Sequence, residues 1–118
     1  MTQINVFRNA TDTEPLESGA VLFRKGEPGD VMFAVAEGQI ELSVDGHVVE
    51  EVGPGGILGE LALIDASPRS ATAIAVAPSR VVRVDQAHFR YLVQEHPTFA
   101  LLVMEVMAER LRRANLSS

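Results

Sequence analysis

Gly59-Glu60-Leu61-Ala62-Leu63-Ile64-Asp65-Ala66-Ser67-Pro68-Arg69-Ser70-Ala71-Thr72 places one acid and one arginine on a short turn of small and apolar residues. A glycine ahead of consecutive backbone N–H groups at the start of a helical turn makes a local positive field. A guanidinium nearby can grip phosphate oxygens through two parallel bonds. A carboxylate in the same turn can accept from a sugar hydroxyl, as acids do in nucleotide folds. The stretch therefore reads as a site for a phosphorylated sugar. Pro68 confines Ser67 to extended geometry, which sets Arg69 at the mouth of the turn with the Ser70 hydroxyl beside it. Gly59, Leu61 and Ala62 contribute through their backbones, and Leu63 and Ile64 read as core. A plainer account pairs Arg69 with Glu60 or Asp65 at the surface and makes Glu60 an acid that favours a helix N-terminus.

On either side of this stretch, from Val21 to Val84, short apolar runs alternate with turn signals at the spacing of an all-β sandwich or barrel. Ile40, Leu42 and Val44 alternate with Glu41, Ser43 and Asp45, and Asp45-Gly46 supplies the positive φ angles of a tight hairpin before Val48 and Val49. Lys25 to Asp30 and Gly53 to Gly56 are further turns. After the strands, Asp85 is placed to cap a helix over about 86–94. Pro97 suits the first turn of a second helix over about 97–115. In the second, Phe99, Leu102, Val103, Val106, Met107 and Leu111 recur at helical spacing, a stripe for docking on the barrel or on another subunit. Residues 1–15 show no persistent period and are expected to form an arm with one strand at most. No linker composition or internal repeat divides the chain, so residues 1–118 are expected to be one domain with its barrel over about 16–84.

Composition narrows the function classes. The 118 residues are 47% apolar and 22% charged, which is globular, and the apolar runs are too short to cross a bilayer. No secretion signal opens the chain, and a cytoplasmic location is expected. The absence of cysteine removes disulfides, thiolate chemistry and Cys-based zinc sites. A net charge of -6 argues against a nucleic-acid surface, because duplex phosphate is held by Lys and Arg. Within an acidic body, Arg69 has to supply the attraction for an anion locally.

The 59–72 stretch resembles the phosphate-binding cassette of the cyclic nucleotide-binding domain family, which includes protein kinase A regulatory subunits, cAMP receptor proteins and nucleotide-gated channels. Phe23-Arg24-Lys25-Gly26-Glu27-Pro28-Gly29-Asp30 and Met32 to Gly38 also resemble the family's glycine-punctuated barrel, so the likeness covers about residues 20–113. It implies a mainly β fold, a double-stranded β-helix or jelly-roll barrel, with C-terminal helices and a short helical turn in the cassette. It implies a non-catalytic sensor that binds cAMP or cGMP as ligand and signals through movement of the C-terminal helix. The ligand-binding positions it implies are Gly59, Glu60, Leu61, Ala62, Arg69, Ser70 and Ala71. Arg69 would take the exocyclic phosphate oxygens and Glu60 the ribose 2'-hydroxyl. Threonine directly after the phosphate arginine favours guanine in the family, whereas serine also occurs with cAMP; Ser70 suits both, and cAMP is the favoured ligand. A lid over the base falls on Arg112, Arg113 and Asn115, although basic residues in a last helical turn also suit the dipole, as Arg110, Arg112 and Arg113 do here. The sequence departs from the family where Gly56 replaces an acid in the turn before the cassette and Leu58 replaces an aromatic residue; neither removes a ligand group. A homodimer through the C-terminal helix and an effector protein in trans are the expected listeners.

Two other readings compete. A barrel that has lost its ligand would serve as a protein-interaction module, against which the intact Glu60 and Arg69 argue. A metal-dependent cupin-type enzyme needs several imidazoles converging on the barrel interior, whereas His47, His88 and His96 lack the spacing of a ligand set. No metal, no cofactor and no catalytic residue are expected.

Overall fold

The computed structural model describes residues 4–7 and 10–117, and the side chains among them except those of residues 5 and 115–117. Among the described residues eight strands form two antiparallel sheets. β1 (Glu14–Leu16), β8 (Ser79–Val84), β3 (Met32–Glu37) and β6 (Ile57–Leu58) make one, in that order, and β2 (Val21–Phe23), β7 (Thr72–Ala75), β4 (Ile40–Val44) and β5 (His47–Val52) make the other. A helical turn, α1 (Glu60–Asp65), sits between β6 and β7, and α2 (Gln86–Glu95) and α3 (Pro97–Ser117) follow the strands. The mainly β architecture with C-terminal helices is the one the resemblance implies.

The pattern of β3 explains how the layers stack. Met32, Phe33, Ala34 and Val35 are all buried, because the strand is covered on both faces. Phe33 and Val35 join Phe23, Ile40, Leu42, Val52, Leu58 and Val81 in the core between the sheets. Met32 and Ala34 join Val82, Val84 and Ile57 under the helices, where Leu92, Phe99, Val103 and Val106 dock. The apolar stripe of α3 is thus divided: Phe99, Val103 and Val106 cover the barrel, while Leu111 is 63% exposed. A helix face turns by about 100° per residue, so a stripe as wide as the sequence suggests cannot rest on one flat sheet.

Local chemistry sets the element ends. Asp45 and Gly46 have φ of 51° and 85°, the positive pair that a two-residue hairpin between β4 and β5 requires. The Asp85 side chain accepts from the His88 N–H at 2.8 Å and caps α2. The N-terminal segment is more than an arm. Asn5–Phe7 form a 3-10 turn, Ile4 and Phe7 are buried, and the Phe7 ring meets Phe99 edge to face at 5.9 Å. Apolar side chains spaced by a single turn of 3-10 helix leave no lasting period in the sequence. Of that expected arm, residues 1–3, 8 and 9 lie outside the described residues, and Glu14 and Pro15 belong to β1.

Candidate functional site

A cavity of ≈ 1040 Å³ opens between the 59–71 segment, β4 and β5, and the last turns of α3. Its size is at the upper end for small-molecule sites. Its lining includes the apolar side chains of Leu42, Val44, Val48, Val49, Met107 and Leu111 and the charged ones of Glu50, Glu60, Arg69, Arg110 and Arg113.

Arg69 is fixed from several directions. Its N–H donates to the Glu27 carbonyl at 2.9 Å and its own carbonyl accepts from the Gly26 N–H at 2.8 Å, so the β2–β3 loop clamps its backbone. The guanidinium lies over the Phe23 ring, 4.3 Å from its centroid, and Nη1 donates to the Gly59 carbonyl at 3.2 Å. The residue is 7% exposed, yet among the described residues no carboxylate lies within 4.0 Å of it. Burial holds its pKa below the ordinary arginine value; the charges of Asp30, Glu27 and Glu60 oppose that shift, and Arg83 adds to it. The pairing of Arg69 with Glu60 or Asp65 allowed by the sequence is not what forms: Asp65 accepts from the Ser67 N–H and hydroxyl, and Glu60 turns to α3. Among the described residues no side-chain nitrogen sealed from solvent lacks a partner, so the unused nitrogens of Arg69 are not sealed, in a residue that lines the cavity. A Cβ at Gly29 would come within 2.5 Å of Arg69 Nε, and one at Gly59 within 2.5 Å of Nη1. Glycine at both positions makes room for the guanidinium.

Glu60 begins α1, whose N-cap, Gly59, has φ of 77° and no side chain to cap the first turn. The N–H groups that a helix start leaves without intrahelical partners therefore stay open here. The Glu60 carboxylate is buried, and its Oε1 accepts from Arg110 Nη1 at 2.7 Å. Its Oε2 accepts from no described residue and is not sealed from solvent, in a residue that lines the cavity. Arg110 reaches four acceptors. Nε and Nη2 grip the two oxygens of Glu50 at 2.9 and 3.0 Å, and Nη2 also donates to the Ile57 carbonyl at 2.6 Å. Burial would lower the Arg110 pKa, but the hydrogen bonds it donates to Glu50 and the charges of Glu60 and Glu50 outweigh it and raise the value.

The residues expected from the sequence fall into two groups. Gly59, Glu60, Leu61, Ala62, Arg69, Ser70 and Ala71 all line this cavity. Of the lid residues, Arg113 lines it and donates to Glu50 at 3.1 Å, while Arg112 is exposed and absent from the lining, one residue's rotation away. The Asn115 side chain lies outside the described residues. Sequence reasoning missed Arg110, assigning it only to the dipole of a last helical turn. A signal was present: Phe99, Val103, Val106 and Arg110 share one helix face, and a charge on a buried stripe implies a buried counter-charge. Glu50 and Gly29 were also missed. Among the described residues no group of three or more His, Asp or Glu is placed to hold a metal ion, and no helix is long and apolar enough to cross a membrane.

Known proteins resemble this chain in sequence and fold. Residues 13–96 match the family described as "Cyclic nucleotide-binding domain". The chain is 40% identical over 93 residues to a cyclic nucleotide-gated potassium channel of Mesorhizobium japonicum, covering 79% of this chain and 26% of that one. It is 30% identical over 102 residues to a CRP-like cAMP-activated global transcriptional regulator of Mycobacterium tuberculosis, covering 82% of this chain and 46% of that one. These two relatives are therefore more than twice the length that the chain matches. A solved structure described under "A cyclic-GMP-dependent signalling pathway regulates bacterial phytopathogenesis" superimposes with a TM-score of 0.74 at 31% identity. That match covers 85% of this chain and 84% of that one.

Proposed function

The chain belongs to the cyclic nucleotide-binding domain family, and from that premise we propose that its cavity is a non-catalytic cytoplasmic sensor site for a cyclic nucleotide. One observation carries the assignment: a buried Arg69 without a carboxylate partner shares one cavity with a Glu60 that keeps one oxygen open. Arg69 and the open N–H groups of the first turn of α1 take the cyclic phosphate, with Leu61, Ala62 and Ala71 letting it approach. Glu60 Oε2 accepts from the ribose 2'-hydroxyl. The base then lies along the apolar wall of Val48, Val49 and Leu111, with Arg113 beside it as the lid.

That wall favours cAMP over cGMP. Where adenine presents one amino group and a ring nitrogen, guanine presents an amino group, a ring N–H and a carbonyl, and leaving such groups unmatched in a pocket costs about 1–3 kcal/mol each. Output runs through α3, because Arg110 joins the group that reads the sugar to the helix that covers the barrel. Leu101, Met104, Ala108 and Leu111 repeat at spacings of three and four on α3, with Leu101, Met104 and Leu111 exposed. Such a seam suits a second copy of the chain or an effector in trans. Sedimentation at increasing concentration separates the two, since only self-association depends on this chain alone.

Thermal unfolding in the presence of cAMP, cGMP and their 5'-monophosphates tests the site. A ligand at a hundred times its Kd adds about 2.7 kcal/mol to apparent stability. A shift with a cyclic nucleotide and none with the 5'-monophosphates supports the assignment; no shift with either cyclic nucleotide at millimolar concentration rejects it.

A further inference from the structure

We propose that Glu50 is a positioning residue for sugar recognition: by holding Arg110 in a two-pronged grip it keeps one oxygen of Glu60 free for the ligand. The inference rests on the assignment of the cavity to a cyclic nucleotide. Arg110 could satisfy Glu60 in the same bidentate manner, since guanidinium and carboxylate match edge to edge. It does not. Nε and Nη2 are committed to Glu50 at 2.9 and 3.0 Å and Nη2 also to the Ile57 carbonyl, so Nη1 alone remains for Glu60 Oε1. The Glu50 side chain is as buried as that of Glu60 and accepts from Arg113 as well. Two carboxylates and two guanidinium groups thus balance in charge.

Replacing Glu50 by glutamine removes one negative charge and turns one acceptor into a donor. The amide then opposes the N–H of Arg110 that it used to receive, and the fork breaks on that side. Glu60 becomes the strongest acceptor within reach, the guanidinium swings onto both of its oxygens, and the hydroxyl loses its acceptor. The phosphate contacts at Arg69 are untouched by this change. Selectivity for ribose over deoxyribose should therefore fall while the rest of the affinity holds.

The experiment measures Kd for cAMP and 2'-deoxy-cAMP by calorimetry on the wild type, Glu50→Gln and Glu50→Asp. The wild type is expected to prefer the ribose form by about tenfold or more, as a hydrogen bond to a charged group implies. Glu50→Gln should bring that ratio close to one and weaken 2'-deoxy-cAMP by less than about threefold, within the scatter expected for an untouched phosphate contact. Glu50→Asp, which keeps the charge and both acceptors, should retain most of the preference and guards against a glutamine variant that fails to fold. Equal preference in the wild type and Glu50→Gln overturns the proposal, as does equal loss of both ligands or loss of the preference in Glu50→Asp. A wild type that binds neither nucleotide overturns the assignment of the cavity itself, and this inference with it.

Discussion

Arg110 donates to the Glu60 carboxylate at 2.7 Å across fifty residues of sequence, tying the late turns of α3 to the first residue of α1. The bond makes the acid that faces the cavity and the helix that covers the barrel parts of one network. Removing the cation leaves two buried carboxylates, at Glu50 and Glu60, with Arg113 as the remaining counter-charge on Glu50. Breaking a buried pair in this way costs about 3–5 kcal/mol. Arg110→Met is expected to lie near the lower end, with the loss read as a lowered urea midpoint. An unchanged midpoint would mean that α3 is held by Phe99, Val103 and Val106 alone.

Arg69 should behave in the opposite manner. Its guanidinium is buried without a carboxylate partner and rests on Phe23. Replacing it with an apolar chain of similar length removes a desolvation cost together with a cation–π contact of about 0.5–2 kcal/mol. Arg69→Met should therefore leave the ligand-free protein within about 1 kcal/mol of the wild type, as residues kept for function often do. Chemical denaturation without ligand checks this, and a large loss would make Arg69 a structural residue.

Gly29 is placed to test the guanidinium's position without changing its charge. An added Cβ would sit 2.5 Å from Nε and 2.6 Å from Cζ of Arg69, so Gly29→Ala must push the group away from its place over Phe23. Overpacking of this kind costs about 1–3 kcal/mol. The expected result is weaker cyclic nucleotide binding in a protein that still unfolds cooperatively, measured by titration and melting on the same sample. Undiminished affinity would show that the position of Arg69 does not matter to the ligand.

One pH effect follows from β1. The hydrogen bonds from Arg83, at 2.7 and 3.3 Å, hold the Glu14 carboxyl below its ordinary value despite some burial, and the same pair raises Arg83. A carboxylate with a depressed folded-state pKa adds stability above its unfolded-state value, and that stability is lost as pH falls through the folded-state value. Both side chains are about half exposed, so solvent screening limits the contribution to a few tenths of a kcal/mol. The wild type should exceed Glu14→Gln by that small margin at pH 7, and the margin should shrink as the pH is lowered through the acid range, in melting curves taken along that series. A margin that grows on acidification would contradict the pairing.

Legibility in the sequence followed the range of the interactions. The hairpin at Asp45-Gly46 and the cap at Asp85 are local chemistry, and each is found where its own few residues place it. The strand spacing and the cassette resemblance gave the β architecture, because turn residues and alternating apolar runs act within about ten positions. Contacts across long stretches of chain were not readable. Arg110 meets Glu50 from sixty residues away and Glu60 from fifty, and a basic residue near a helix end has a sufficient local explanation in the dipole. Ile4 and Phe7 form too short a turn to show a period, so their burial under Phe99 was invisible in the sequence. Gly29 reads as one more loop glycine until the Arg69 guanidinium is seen lying against it.

The central claim is that Arg69 binds the phosphate of a cyclic nucleotide in this cavity, and calorimetric titration of cAMP into the wild type and Arg69→Ala tests it most directly. Saturable one-to-one binding by the wild type is predicted, weakened by at least about tenfold in Arg69→Ala, as loss of a charge-assisted hydrogen bond implies. Equal affinity in the two proteins would contradict the assigned contact, and no heat of binding from either cAMP or cGMP in the wild type would contradict the site.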